Sequence, residues 1–160
     1  AMSGISRSAN RSSVAELSVT YLVTGKTVLS NCSFKREFHS VRDLDRQDIR
    51  VIVNPGGTNE SFVKNSLPNT KINVHSENIT IFKALENGNA DLMITDEIEA
   101  RIMASRYPNL CFPQEKLFNR IEKVILMRKE GPLNLIINKW LIKRLADGTV
   151  TRIADRYLPQ

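Results

Sequence analysis

The chain has 160 residues, of which 41% are hydrophobic and 25% charged, and 23 basic against 17 acidic residues give a formal net charge of +6. These values are typical of a globular chain rather than a disordered or fibrous one. No apolar run approaches the roughly 20 residues that a membrane-spanning helix needs, so we expect no membrane span. The first residues also lack the basic-then-apolar pattern of a secretory signal.

Strand and helix signals alternate in the first two thirds of the chain. Residues 19–24 and 27–31 predict short strands separated by a turn at Gly25. Three strand-and-helix pairs follow: strands 50–54, 71–75 and 91–95, with helices beginning at Thr58, near Asn78 and at Asp96. Such alternation predicts parallel strands joined by right-handed crossovers, with the functional edge at their carboxyl ends.

The C-terminal part predicts one strand, residues 121–127, and two helices. The longer helix follows Pro132, and its apolar residues recur at helical spacing: Leu133, Ile136, Ile137, Trp140, Leu141 and Leu145. Trp140 lies in the middle of this stripe, so we expect it in the core rather than in a ligand site. A shorter helix from Val150 is expected to end after Leu158, at Pro159.

The excess positive charge lies in the two flanking segments, whereas residues 51–117 are slightly acidic. Several basic residues are spread along the predicted C-terminal helices: Lys139, Lys143, Arg144, Arg152 and Arg156. Neither interleaved surface aromatic residues nor a groove-reading motif accompany them. Because charge of this kind is usual on solvated helix faces, we expect no nucleic-acid partner.

The most informative stretch, residues 54–60 (NPGGTNE), places a glycine pair between a strand end and a helix start. Glycine lets the backbone approach a ligand closely, and the N–H groups of a first helical turn attract anions. A carboxylate or phosphate would fit at Gly57 and Thr58. The alternative is a tight turn with Thr58 as helix N-cap and Glu60 as a dipole-favoured acid. The stretch is neither a P-loop nor a dinucleotide fingerprint, and we expect no cofactor.

Two further segments carry polar residues suited to a ligand. Asp96 ends the third central strand, on the same edge as Gly57 if the strands are parallel, and either receives a ligand amine or hydroxyl or caps the next helix. Near the start, Ser6, Ser8 and Arg11 combine hydroxyls with a guanidinium that suits a carboxylate. A disordered terminus is the alternative there.

The few cysteine and histidine residues argue against a disulfide framework and against a metal site. Cys32 and Cys111 are too few for a disulfide framework, and with His39 and His75 they lack the short spacing of a zinc site. We therefore expect no metal centre. Two buried thiols are the simplest interpretation, and a Cys32–Cys111 disulfide is favoured only if the protein is exported.

Five segments occur in the order found in type 3 extracellular solute-binding proteins: 3–11 (SGISRSANR), 17–21 (LSVTY), 54–60, 78–82 (NITIF) and 91–101 (DLMITDEIEAR). NPGGTNE and TDEIEAR resemble specifically the cyclohexadienyl dehydratase branch, which makes phenylpyruvate from prephenate or phenylalanine from arogenate. The resemblance covers nearly the whole chain. It implies an α/β, periplasmic-binding-protein-like fold and a periplasmic or extracellular location, with the cytoplasm as the alternative.

The resemblance assigns ligand contacts in both lobes of that fold. Arg11 matches the arginine that clamps the ligand's α-carboxylate, and Ser8 stands where a hydroxyl residue assists it. Gly57 and Thr58 match the anion contact at a helix start in the other lobe. Asp96 matches the acid that faces the ligand's polar end.

Glu60 matches the proposed general acid of the dehydratases, which protonates the departing ring hydroxyl as carbon dioxide leaves. That role requires a protonated carboxyl near neutral pH. A closed, desolvated cleft that raises the pKa of Glu60 is therefore implied.

Family members have an additional stretch of chain before Ser3, about one third of a domain long, and that stretch supplies most of lobe 1. The resemblance therefore implies that residues 28–118 form a complete lobe 2, with a short, mostly parallel sheet flanked by helices. Residues 1–27 and 119–160 would be parts of lobe 1, with a large exposed apolar surface that monomers rarely tolerate. We expect a homodimer in which the terminal segments pair with, or are exchanged between, two copies.

Three functions fit these observations. We favour a binding module for a small carboxylate or amino-acid-like ligand, with catalysis lost, because this chemistry needs a site that closes and excludes water. The first alternative is an active prephenate or arogenate dehydratase whose cleft is completed by a dimer partner. The second is a basic interaction protein that keeps only the scaffold.

Overall fold

The computed structural model describes residues 1–2, 4–113 and 117–157. Contacts divide the chain into a first unit, residues 1–24 and 120–160, and a second unit, residues 25–119. The predicted boundary between residues 27 and 28 falls inside a strand that begins at Lys26. The second unit therefore starts at Gly25, slightly earlier than expected. Three residues named in the sequence analysis lie outside the described residues: Ser3, Leu158 and Pro159.

Each predicted helix and strand has a counterpart in the predicted order, and the structure adds a helix at residues 9–14, strands at 16–17 and 110–111, and a short 3-10 helix. In chain order they are α1 (Ala9–Val14), β1 (Glu16–Leu17), β2 (Leu22–Thr24), β3 (Lys26–Asn31), a 3-10 helix (Val41–Leu44), β4 (Arg50–Val53), α2 (Thr58–Ser66), β5 (Lys71–Val74), α3 (Ile81–Glu86), β6 (Leu92–Asp96), α4 (Glu97–Arg106), β7 (Leu110–Cys111), β8 (Ile121–Lys123), β9 (Leu126–Met127), α5 (Asn134–Ala146) and α6 (Thr149–Tyr157).

The second unit is built on a five-stranded sheet with the order β5-β4-β6-β3-β7. Strands β5, β4 and β6 pair in parallel, as the alternation of strands and helices predicted. Strand β3 is antiparallel to both β6 and β7, so four of the five strands share one direction. The β3–β6 register places Lys26 directly opposite Asp96. The carboxyl ends of β4 and β6 consequently lie at the same edge, beside the first residue of β3.

Alternating side chains of the three inner strands fill two cores, one on each face of the sheet. On one face, buried strand residues pack with the 3-10 helix and α2: Val28, Val51, Val53, Leu92 and Ile94. On the other face, they pack with α3 and α4: Leu29, Ile52 and Met93. A strand that is buried on both faces is expected to be a continuous apolar run, as 51–53 and 92–94 are.

The first unit consists of two antiparallel ribbons, β1 with β9 and β2 with β8, together with α1, α5 and α6. The single strand predicted over residues 121–127 is two strands, because the chain changes partner at Val124 and Ile125. The buried core of this unit is small: Ile125, Met127 and Leu141.

Helix α5 carries apolar residues around most of its circumference, and only part of them are covered. Leu141 is 2% exposed, whereas Ile136 is 60% and Trp140 is 51% exposed. The expectation that Trp140 belongs to the core is therefore wrong for this chain, because the small core of the first unit reaches only one side of the helix. Among the described residues, no helix is both long and apolar enough to cross a bilayer.

Candidate functional site

The turn between β4 and α2 has the geometry that the NPGGTNE stretch predicted. Gly56 adopts φ +76°, a left-handed conformation that favours glycine. Gly57 has extended backbone and is the N-cap of α2, so Thr58 is the first helical residue. The interpretation of Thr58 as the N-cap is therefore wrong, and its hydroxyl is available for another contact.

That contact is with Lys26, a residue that the sequence analysis missed. The Lys26 side chain is 1% exposed, and its Nζ donates to Thr58 Oγ1 at 3.1 Å and to Asp96 Oδ1 at 2.7 Å. It also donates to Asn59 Oδ1. One buried ammonium thus joins the start of α2 to the end of β6.

Asp96 occupies the N-cap position of α4, but its side chain makes no capping hydrogen bond. Its carboxylate is directed to Lys26 instead, and the side chain remains 20% exposed. The alternative interpretation, in which the Asp96 side chain caps α4, is therefore wrong.

A hydrogen-bond network continues from this ion pair into the sheet. Asn59 Nδ2 donates to Thr95 Oγ1 at 3.3 Å, and the buried Thr95 hydroxyl in turn donates to the Glu99 carboxylate. Glu97, the other acid in the first turn of α4, pairs with Arg101 at 2.9 Å. The first turns of α2 and α4 are therefore linked through side chains on one sheet edge.

The Glu60 carboxylate contacts one side chain and one backbone group. Its Oε1 pairs with Lys64 Nζ at 2.7 Å and its Oε2 accepts from the Gly56 N–H at 2.6 Å. The hydrogen bond from Lys64, followed by that from Gly56, lowers the pKa of the Glu60 carboxyl below its ordinary value. The general-acid role implied by the resemblance needs the opposite shift, so this arrangement corrects the expectation of a raised pKa. Glu60 instead behaves as the first-turn acid of the alternative interpretation.

We expect an NMR titration to place the Glu60 midpoint below the ordinary value of about 4.3. Because the folded-state pKa is lowered, the contribution of Glu60 to stability is present above its unfolded pKa and is lost as the pH falls through the folded pKa. Lys64→Met should raise the midpoint, since it removes the largest cause. Lys71→Met, on the exposed edge strand β5, should leave it unchanged. A midpoint above the ordinary value would contradict the geometry.

Ser8 and Arg11 lie in the first unit. Ser8 is the N-cap of α1, where its hydroxyl accepts from the Arg11 N–H at 3.3 Å. The Arg11 guanidinium donates to the Ser6 carbonyl at 2.6 Å. The segment is therefore a short helix and not a disordered terminus, and Arg11 makes a local backbone contact.

Cys32 and Cys111 are joined by a disulfide bond that ties the end of β3 to the edge strand β7. Its sequence separation of 79 residues closes half of the chain into a loop. The interpretation of two free thiols is therefore replaced by the disulfide that export would favour.

No protein-family profile matches the chain. Over 160 residues the chain is 41% identical to a cyclohexadienyl dehydratase from Pseudomonas aeruginosa; the match covers 99% of the chain and 59% of that protein. The chain therefore spans little more than half the length of this relative.

Solved structures give the same assignment at the level of fold. An ancestral cationic amino acid solute-binding protein has a TM-score of 0.81 and 28% identity, with 99% of this chain and 68% of that one covered. A binding component of an ABC transporter from Wolinella succinogenes, solved with lysine, has a TM-score of 0.89 at 19% identity, with 98% and 68% covered. The predicted resemblance to the cyclohexadienyl dehydratase branch and the α/β, periplasmic-binding-protein-like fold are confirmed.

Proposed function

We propose that the second unit is a binding module for a small carboxylate, which it holds at the start of α2 and at Asp96 without turnover. The observation that carries this proposal is the convergence of Thr58 and Asp96 on the buried Lys26 ammonium, at the carboxyl edge of the parallel strands β4 and β6. Ligands of open α/β sheets bind at such an edge.

The charge distribution at the start of α2 favours an anion. The first-turn N–H groups of a helix have no partner within the helix and carry partial positive charge. Gly57 lacks a side chain that would block them, and nothing lies within ordinary contact distance of an added Cβ except the Asn59 nitrogen at 3.9 Å. A ligand carboxylate can therefore approach the backbone closely.

We expect a panel of small acids, L-phenylalanine, L-3-phenyllactate and L-glutamate, to contain at least one that raises the melting temperature. A ligand present at 100 times its Kd adds about 2.7 kcal/mol to the stability of the folded state. Thr58→Val should weaken this stabilisation, because it removes the hydroxyl at the start of α2. The matched control is Thr151→Val on the exposed side of α6.

Absence of any melting shift with all three acids would refute the binding proposal. A shift that survives Thr58→Val at full size would place the ligand elsewhere.

A prephenate dehydratase activity is the second candidate, supported by the 41% identity to the Pseudomonas aeruginosa protein. The contacts of Glu60 with Lys64 and Gly56, which lower the pKa of its carboxyl, favour binding without turnover. Phenylpyruvate formation from prephenate that is abolished by Glu60→Gln would establish the enzyme instead.

The third candidate is the basic interaction protein. Salt-sensitive retention on duplex DNA, with no melting-temperature shift from any of the small acids, would favour it.

We also propose that the protein works in an oxidising compartment, periplasmic or extracellular. The Cys32–Cys111 disulfide supports this location, since reducing compartments keep cysteine thiols reduced. Two free thiols in protein isolated from its native cells, with alkylation carried out at lysis, would contradict it.

We further propose that a second copy of the chain covers the apolar face of α5. Trp140 lines two apolar cavities of the first unit, of about 570 Å³ and 250 Å³, and Ile136 beside it is mostly exposed. The two-stranded ribbons of this unit also have strand edges on which a second ribbon can pair. Two-fold pairing would cover both features at once.

Light scattering at micromolar concentration is expected to give twice the chain mass of 18.1 kDa. Ile136→Lys should shift the mass toward the monomer, because it places a charge in the proposed interface. Ile79→Lys, at an 86% exposed position of the second unit, is the matched control. A compact monomer for the unmodified chain would refute the dimer.

A further inference from the structure

Lys26 changes what the Asp96 carboxylate can offer to a ligand. The two residues are register partners on β3 and β6, and the ammonium lies 2.7 Å from Asp96 Oδ1. With the Lys26 side chain 1% exposed, water screens this pair little, and the positive charge stays beside Asp96. A ligand group that reaches Asp96 therefore meets a neutralised ion pair.

We infer that Lys26 is a specificity-determining residue, which makes the site discriminate against a ligand ammonium and favour a 2-hydroxy acid over the corresponding amino acid. The inference rests on the proposed carboxylate-binding function. A neutral hydroxyl can donate to a carboxylate that already has a cationic partner. An ammonium at the same place gains less attraction from Asp96 and is repelled by Lys26 at close range.

The neighbouring acids do not restore an ammonium site. Glu97 is paired with Arg101, and the Glu99 carboxylate accepts the Thr95 hydroxyl below the ion pair. Glu60 is paired with Lys64. Glu97, Glu99 and Glu60 therefore each have a donor of their own, and the Lys26 ammonium contacts both Asp96 and Thr58.

Lys26 is also held in place, so that it cannot swing away to make room for a ligand ammonium. Its backbone N–H donates to Asn119 Oδ1 at 2.8 Å, and its carbonyl accepts the Phe118 N–H at 2.8 Å. Thr58 and Asn59 fix the ammonium from the other side. Moving the ammonium would break three side-chain contacts of a buried charge, which is unfavourable.

The test compares two ligand pairs that differ only in the group at carbon 2: L-3-phenyllactate with L-phenylalanine, and L-2-hydroxyglutarate with L-glutamate. Calorimetric titration of the full chain should show, in at least one pair, a hydroxy acid bound tenfold or more tightly than its amino acid. Lys26→Met should reduce that ratio at least tenfold, because it removes the ammonium beside Asp96 that repels a ligand ammonium. Lys71→Met is the control and should leave the ratio unchanged.

Asp96→Asn covers the case in which Lys26→Met does not fold. It keeps the ammonium of Lys26 and removes the carboxylate, so the preference for the hydroxy acid should increase. Amino acids that bind the unmodified chain as tightly as the hydroxy acids would overturn this inference and leave the proposed function standing. If none of the four acids binds, both fail.

Discussion

The Cys32→Ser/Cys111→Ser variant should lose about 4 kcal/mol of unfolding free energy under non-reducing conditions. The disulfide closes a segment with a sequence separation of 79 residues, and the cross-link lowers the conformational entropy of the unfolded chain by an amount that grows with loop length. For a chain of this size, the loss corresponds to roughly 10 °C in melting temperature. Urea unfolding of both proteins measures the difference.

The position of the disulfide makes the measurement specific to the second unit. The disulfide ties β7, a two-residue edge strand, to β3, the inner strand beside it. Trp140 is the one tryptophan of the sequence and lies in the first unit, so its fluorescence would report the wrong part of the chain. Hydrogen exchange at β3 and β7, together with circular dichroism, follows the unit that contains the bond.

Reductant provides the control. The unmodified chain in reductant should fall to the stability of the double serine variant, and the variant should not respond to reductant. Equal stability of the unmodified chain with and without reductant would contradict the contribution assigned to the bond.

The fold of the second unit could largely be predicted because its signals are local. Apolar β-branched runs such as 51–53 end at glycine and proline turns, and each is followed by a helix with an apolar side. Parallel pairing of β4, β5 and β6 follows from that alternation, and it brings Thr58 and Asp96 to one edge. The antiparallel pairing of β3 with β6 could not be predicted from local signals, since the two strands are more than 60 residues apart in sequence.

Lys26 was missed for the same reason. In the sequence it stands beside Gly25 at what resembles a turn, where lysine is ordinarily solvated. Its burial depends on Thr58, Asn59 and Asp96, which only the tertiary fold brings to it. The state of Glu60, by contrast, could have been read locally, because Lys64 stands four residues later on the same helix face.

The apolar residues of α5 show the limit of periodicity. The spacing of Leu133 to Leu145 correctly predicted a helix of about the length of α5, but apolar residues occupy most of its circumference rather than one face. Periodicity identifies the apolar residues of a helix but does not identify the surface that buries them. Leu141 packs into the core of the first unit, whereas Trp140, one position earlier, does not.

We expect Lys26→Met to lower the unfolding free energy by about 3 kcal/mol, an effect of the same order as that of the disulfide. Removing one member of a buried ion pair leaves the other charge uncompensated, which costs about 3–5 kcal/mol. The lower end applies because Asp96 keeps 20% of its side chain exposed, so water replaces part of the lost interaction. Thr58 and Asn59 also lose their shared donor.

The double variant Lys26→Met/Asp96→Asn distinguishes a lost ion pair from a general packing defect. Because it also removes the carboxylate that has lost the Lys26 ammonium, it should be more stable than Lys26→Met alone, with a coupling energy of about 1 kcal/mol or more between the two sites. Lys71→Met, on the exposed strand β5, should change the unfolding free energy by less than about 0.5 kcal/mol. Additive effects of the two substitutions would show that Lys26 is retained for its packing, and the electrostatic basis of the proposed ligand preference would fall with that result.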